Sequence, residues 1–348
     1  MEQLTLFDLN DLRPLLTGKR FLLVHGPFYA SLGLSPFFDS LDAVHFTDFT
    51  PNPLYEQVEA GVRSFLAQDC QAIVAVGGGS AMDVAKCVKL FCHMDPSVNY
   101  LTQEKADTGV PLYAIPTTAG TGSEATRHAV IYYQGEKQSV SHPSIVPDAA
   151  VLLPEVLTGL PLYQKKCTLL DALCQAVESW WSRSATAESA AHSRQAIAGI
   201  RAHWQAYIEQ GDPDAARQIL LAANQAGKAI NITATTAPHA MSYKLTSLYH
   251  LPHGHAVALC MAQVWPYTRE HAGDDLRLQG VLAELEALGG YGWFVDLMGR
   301  LGMASPSARE REAELRPLAS SVNPIRLQNH PIPLSAETLR AFYEKIVQ

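Results

Sequence analysis

The chain has 348 residues, 47% hydrophobic and 17% charged, with a formal net charge of -8. That gives ample apolar material for a core and a length suited to two domains or one large one. The negative charge argues against nucleic acid or an anionic membrane as the main partner, and no apolar run approaches the ~20 residues that span a bilayer.

The N-terminal stretch MEQLTLFDLNDLRPLL is acidic and has no apolar h-region, so no signal peptide is expected. KRFLLVHG reads as a buried strand ending at Gly26, and SLDAVHFTDF as a second strand closed by TPNP. LYEQVEAGVRSFLAQDC spaces its apolar residues near 3.6 and predicts a helix. QAIVAV is a strand, followed by the glycine turn and helix GGGSAMDVAKCVKLFCH, and PLYAIPTT is a further strand leading into AGTGSEAT. This alternation predicts a largely parallel sheet with helices on both faces. Beyond about Pro154 helical patterns take over, among them YQKKCTLLDALCQAVESWWS, AESAAHSRQAIAGIRAHWQAYIEQG and PDAARQILLAANQAGKAINITATT. We therefore expect an α/β domain over 1–155 and an all-helical domain over 156–348. The six cysteines are scattered without a C-x-x-C pair, which points to free thiols in a reducing, cytoplasmic compartment.

In AIVAVGGGSAMDVAK the glycines allow close approach of a ligand to the backbone. Ser80 is a good N-cap, and Asp83 three residues on resembles a capping box. A helix start of this kind is an anion site for a diphosphate, or it is simply a tight strand–helix turn. The pattern is not the usual G-x-G-x-x-G. The second turn, IPTTAGTGSEAT, also follows a strand and sets five hydroxyls beside two glycines. Two such turns at the carboxyl ends of neighbouring strands favour a dinucleotide or other diphosphate over a bare turn.

Asp171 stands in the apolar helix LLDALCQAVESWW and needs a partner. Gln175 shares its face four residues on, and Glu178 is a further neighbour. A buried Asp–Gln hydrogen bond is one reading. Ligation is the other. TTAPHAMSYKLTSLYHLPHGHAVAL carries His239, His250, His253 and His255. His239 and His253 would lie about 21 Å apart on one unbroken helix. Pro252 and Gly254 are expected to end one helix and start another, letting the two histidines meet. Asp171, His239 and His253, with Gln175 as a fourth donor, then form a mixed N/O set suited to Fe²⁺, Zn²⁺, Mn²⁺ or Ni²⁺. His250 and His255 read as structural.

GGGSAMDVAK, IPTTAGTGSEAT, HPSIVPDAAVLLPE, LLDALCQAVES and PHAMSYKLTSLYHLPHG follow one another in an order that resembles the iron-containing (group III) alcohol dehydrogenases, relatives of glycerol dehydrogenase and dehydroquinate synthase. The resemblance runs from about Lys19 to the tail SSVNPIRLQNHPIPLS. It implies a Rossmann-like N-terminal domain, an all-α C-terminal domain, a metal and nicotinamide in the cleft between them, and a homodimer. It puts Gly78, Gly79, Ser80 and Asp83 at the diphosphate. Thr117, Thr118, Thr121 and Thr126 fall on the nicotinamide side, with Lys137 at a ribose. Asp171, His239 and His253 fall on metal-ligand positions. Gln175 stands where the family usually has a histidine, and Tyr243 where many members carry a further histidine near the substrate; Tyr243 either packs there, the favoured reading, or serves as the candidate proton donor. Thr47 takes the place of an aspartate that NAD-preferring members often have near the adenosine ribose, with Asp48 one later, which leaves both NAD and NADP open.

DALCQAVESWWS, TTAPHAMSYKLTS and LPHGHAVAL look most like the branch that reduces phosphonoacetaldehyde to 2-hydroxyethylphosphonate. A phosphonate needs cations, and Arg127 and Lys244 are the candidates. The rival readings are a general alcohol, diol or aldehyde dehydrogenase, a lyase like dehydroquinate synthase, and a non-catalytic metal- or nucleotide-binding protein. The lyase is disfavoured because its first ligand is a glutamate, whereas here it is Asp171.

Overall fold

The computed structural model describes residues 3–308 and 310–348. The chain divides into two units, Met1–Leu160 with Gly211–Leu220, and Pro161–Gln210 with Leu221–Gln348. The division falls five residues past the expected 155/156 boundary, at the proline that opens a long helix.

In the first unit the strands are β1 (Leu4–Leu6), β2 (Phe21–His25), β3 (Ala43–Phe46), β4 (Ala72–Gly77), β5 (Leu112–Pro116), β6 (His128–Tyr133), β7 (Glu136–Ser141) and β8 (Ala149–Val151). Six form one sheet in the order β1-β8-β5-β4-β2-β3, every pair parallel. β6 and β7 make a separate antiparallel hairpin. The central strands are apolar at every position but His25, at the end of β2, because both faces are covered. Leu22, Val24, Ile73, Ala75, Leu112 and Ala114 point to a core built with helices α1 (Tyr55–Ala67) and α2 (Gly79–Phe91). Phe21, Leu23, Val74, Val76, Tyr113 and Ile115 point to the other face, where Leu12, Tyr29, Phe37 and Phe38 from short helical segments cover them. The edge strand β1, of three residues, is too short to read from periodicity.

Register places the strand ends that matter side by side. His25 of β2 pairs with Val76 of β4, and Gly77 of β4 pairs with Pro116 of β5. The turns after β4 and β5 therefore leave the same edge of the sheet.

The second unit is helical: α3 (Leu162–Trp181), α4 (Ala187–Gln205), α5 (Ala237–Tyr249), α6 (His253–Glu270), α7 (Pro324–Gln328) and α8 (Ala336–Ile346) frame its site. Trp181 of α3 packs edge-on against Trp265 of α6, and Tyr343 of α8 donates to the Met241 carbonyl of α5 at 2.8 Å. Among the described residues no helix is long and apolar enough to cross a membrane. The six cysteines are free and buried.

Candidate metal centre and nucleotide turns

Helix α3 sets Asp171, Gln175 and Glu178 in its apolar middle, all of them buried. Glu178 takes over the start of α5. Its Oε1 accepts from Thr236 N and Thr236 Oγ1, both at 2.9 Å, and from His239 N at 3.3 Å. Pro238 near the helix start lacks an N–H, and Glu178 satisfies donors that the first turn leaves without intrahelical partners. The other carboxylate oxygen, Oε2, accepts from His239 Nδ1. That bond aims the Nε2 side of the ring at Asp171, whose Oδ1 lies 3.2 Å away.

Helix α5 ends where His250 takes a left-handed conformation, at φ 53°. Pro252 then caps α6, which begins at His253 itself. Gly254 is thus inside α6 and not the helix breaker expected of it. It lies against α3 so closely that a Cβ there would sit 1.9 Å from the Cys167 carbonyl oxygen and 2.9 Å from Asp171 Cβ. Glycine is required for that approach. The contact delivers His253 Nε2 to 3.8 Å from Asp171 Oδ1, with the His239 and His253 ring centroids 5.3 Å apart. His255 leaves the site to bond the Tyr163 hydroxyl at 2.7 Å.

One ligating atom from each of Asp171, His239 and His253 lies within 4.8 Å of the other two. Bonds of ~2.1 Å in a tetrahedron separate ligand atoms by about 3.4 Å, close to the 3.2 and 3.8 Å distances found here. The donor set fits a divalent metal, and Glu178 on His239 Nδ1 is the outer-shell carboxylate that such a ligand needs. Burial works against charge on His239, but Glu178 and Asp171 outweigh it and raise the imidazolium to about 9. Burial likewise raises Asp171, yet the charge of His253 and hydrogen bonds from His239 and Gln175 bring it below the ordinary carboxylate value. Positive charge, from a protonated imidazole or from a metal ion, suits the space between these carboxylates. Gln175 sits inside the site as Asp171's hydrogen-bond partner.

In the first unit the two glycine turns meet. Thr117 N donates to the Gly77 carbonyl at 3.0 Å. A Cβ on Gly78 or Gly79 would touch Thr118 or Thr121 at 3.5–3.6 Å, and one on Gly77 would strike Ala81 Cβ at 2.6 Å. The helix cap differs from the expected one. Gly78 is the N-cap of α2 and makes no side-chain cap bond. Ser80, two residues into the helix, accepts instead from Asn52 N at 3.3 Å. Asp83 does not close a capping box. Burial pushes it up to about 7, against the pull of Lys86, the Val130 N–H and Lys137. The buried Lys86, not singled out from the sequence, bonds Ser123 Oγ, Thr126 Oγ1 and the His128 carbonyl at 2.8–3.0 Å. It ties the second turn to α2. Thr47 and Asp48 are exposed just past β3.

Arg127 lies in the first unit before β6, and Lys244 is half-buried on α5 one residue past Tyr243. Tyr243 stacks on His253 with the rings 8° from parallel and 5.8 Å apart. Over that same Tyr243 ring, 5.3 Å from its centroid, stands the guanidinium of Arg326 from α7. No local sequence signal marks Arg326, which reaches Tyr243 across 83 residues of chain.

A family model described as iron-containing alcohol dehydrogenase matches residues 5–154, and one for the C-terminal part of the Fe-containing alcohol dehydrogenase family matches residues 166–322. A phosphonoacetaldehyde reductase of Streptomyces viridochromogenes is 33% identical over 282 residues, 75% of this chain and 70% of that protein. A probable alcohol dehydrogenase of Salmonella typhimurium is 35% identical over 222 residues, 62% of this chain and 56% of that one. A sulfoacetaldehyde reductase of Bifidobacterium kashiwanohense, solved with NAD⁺, superposes with a TM-score of 0.88 at 24% identity, covering 99% of this chain and 96% of the other.

Proposed function

The chain belongs to the iron-containing alcohol dehydrogenase family, and on that premise we propose that it reduces phosphonoacetaldehyde to 2-hydroxyethylphosphonate with NADH or NADPH. The observation that carries the chemistry is the set of buried Asp171 and His239 with half-buried His253, and Glu178 behind it. A divalent metal such as Fe²⁺ or Zn²⁺ held there supplies Lewis-acid polarisation of a carbonyl oxygen. The residues of the chain do the rest. Glu178 fixes the His239 tautomer and orientation. Gln175 holds Asp171 and is the fourth donor available on that face. The turns at Gly78–Ser80 and Thr117–Thr121 offer close backbone approach and hydroxyls to a dinucleotide diphosphate. Overall, aldehyde, NAD(P)H and a proton give alcohol and NAD(P)⁺. The proton comes from water or from the Tyr243 hydroxyl.

The substrate is supported by the Streptomyces relative and by the clustering of a cation with the ligand set. The test is NADH and NADPH oxidation by the metal-loaded protein against phosphonoacetaldehyde, sulfoacetaldehyde, acetaldehyde and propanal. Consumption strongest with phosphonoacetaldehyde is expected. Equal rates on uncharged aldehydes would return the protein to the general aldehyde reductases of the same family. Turnover of none of them would refute the proposal.

A further inference from the structure

We propose that Arg326 is the anion-recognising residue of this site, taking the tetrahedral oxyanion head of a short aldehyde on its guanidinium. The inference rests on the aldehyde-reductase reading above and names the part of the substrate that Arg326 meets.

The guanidinium is built into place. Thr235 Oγ1, on a buried residue, accepts from its Nη1 at 2.7 Å. The Tyr243 ring lies beneath it at 5.3 Å, a cation–π platform. Thr235 and Thr236 form the lead-in to α5, whose start is anchored on Glu178. Arg326 is therefore referenced to the same carboxylate that orients His239. Among the described residues its guanidinium has Thr235 as its hydrogen-bond partner, and no carboxylate pairs with it. A half-buried guanidinium carries several N–H groups in a fixed fork. One bond to a neutral hydroxyl leaves most of that fork unused, and a charge removed from water is costly until an anion meets it.

Position gives the substrate class. The Arg326 guanidinium and the His253 ring lie 5.3 and 5.8 Å from the centroid of the one Tyr243 ring, and His253 is a metal-ligand candidate. A carbonyl drawn to the ligand set and an oxyanion drawn to the guanidinium thus meet groups that pack against one and the same aromatic ring. A short aldehyde that carries an anionic head offers one group to each. The fork pairs with two oxygens of a phosphonate or a sulfonate alike.

The experiment compares wild type, Arg326→Gln and Arg326→Lys. It reads kcat/KM for phosphonoacetaldehyde, sulfoacetaldehyde and propanal, and binding of ethylphosphonate by calorimetry. Propanal turnover reports folding and metal loading in each variant. In Arg326→Gln the ratio of anionic to neutral kcat/KM falls about 100-fold, mostly through KM, and ethylphosphonate binding weakens in step. Lysine, a point charge without the fork, restores part of both. The relative loss for the two anions says which head the site favours. If Arg326→Gln cannot turn over propanal, Arg326→Lys decides, with a loss of about 10-fold in the ratio expected. A wild type that prefers anionic aldehydes, with variants that keep the preference and the ethylphosphonate affinity, overturns the role of Arg326 and leaves the substrate reading standing. A wild type that shows no such preference and does not bind ethylphosphonate overturns the substrate reading, and this inference with it.

Discussion

Replacing Glu178 by glutamine changes one oxygen to an amide and leaves volume and shape intact. The wild-type carboxylate receives four hydrogen bonds, from Thr236 N, Thr236 Oγ1, His239 N and His239 Nδ1. A carboxamide can accept at only one end. If its carbonyl keeps the three bonds at the start of α5, its NH₂ faces His239 Nδ1. The ring must then carry its proton on Nε2, the nitrogen aimed at Asp171, and that proton competes with a metal. If the amide flips, the NH₂ meets two backbone N–H groups and a hydroxyl, at about 1–3 kcal/mol for each buried donor left unmet. The first arrangement costs less, so the loss appears in metal binding. Outer-shell changes of this kind weaken metal affinity about 10–100-fold, or roughly 1.4–2.7 kcal/mol. Zinc affinity measured by competition with a chromophoric chelator reads it directly. A Glu178→Gln protein that binds zinc within twofold of wild type would refute the assignment of Glu178 as the residue orienting His239.

Gly254→Ala drives a methyl into the Cys167 carbonyl; unfolding by denaturant should show a loss of about 1–3 kcal/mol, with metal content falling, and unchanged values for both would contradict the close-packing account. Lys86→Met removes the ammonium that ties Ser123, Thr126 and the His128 carbonyl together, so NAD⁺ affinity should drop by about tenfold or more as the second turn loosens; fluorescence titration with NAD⁺ checks it. Burial and the charge of Arg183 hold His330 down to about 3, from the ordinary 6.5. Its folded value lies below its unfolded one, so its contribution is present above 6.5 and is lost as pH falls towards 3. By pH 4.5 the loss reaches about 2–3 kcal/mol. Unfolding curves across that window should be flatter for His330→Gln, and parallel profiles would argue against it.

Periodicity and glycine turns carry far in this sequence. The buried runs at Phe21–His25, Ala72–Gly77 and Leu112–Pro116 stood out because central parallel strands are nearly continuous apolar runs. The meeting of His239 and His253 was legible from the incompatibility of one straight helix with a shared ligand. The device that brings them together was not. Gly254 reads as a helix breaker in one dimension, and only the nearness of the Cys167 carbonyl shows that it serves packing. Ser80 has the residue type of a cap, but the strand end at Gly77 starts the helix earlier. Arg326 could not be read because it acts through space, over a ring 83 positions away.

The central claim is that Asp171, His239 and His253 hold one metal on which aldehyde reduction depends. Metal-stripped protein titrated anaerobically with Fe²⁺ or Zn²⁺ tests it, with NAD(P)H oxidation and bound metal followed together. Turnover should rise linearly and break at one metal per chain, and His253→Ala should gain neither metal nor activity. Full turnover in stripped protein, or in His253→Ala without metal, would contradict the account.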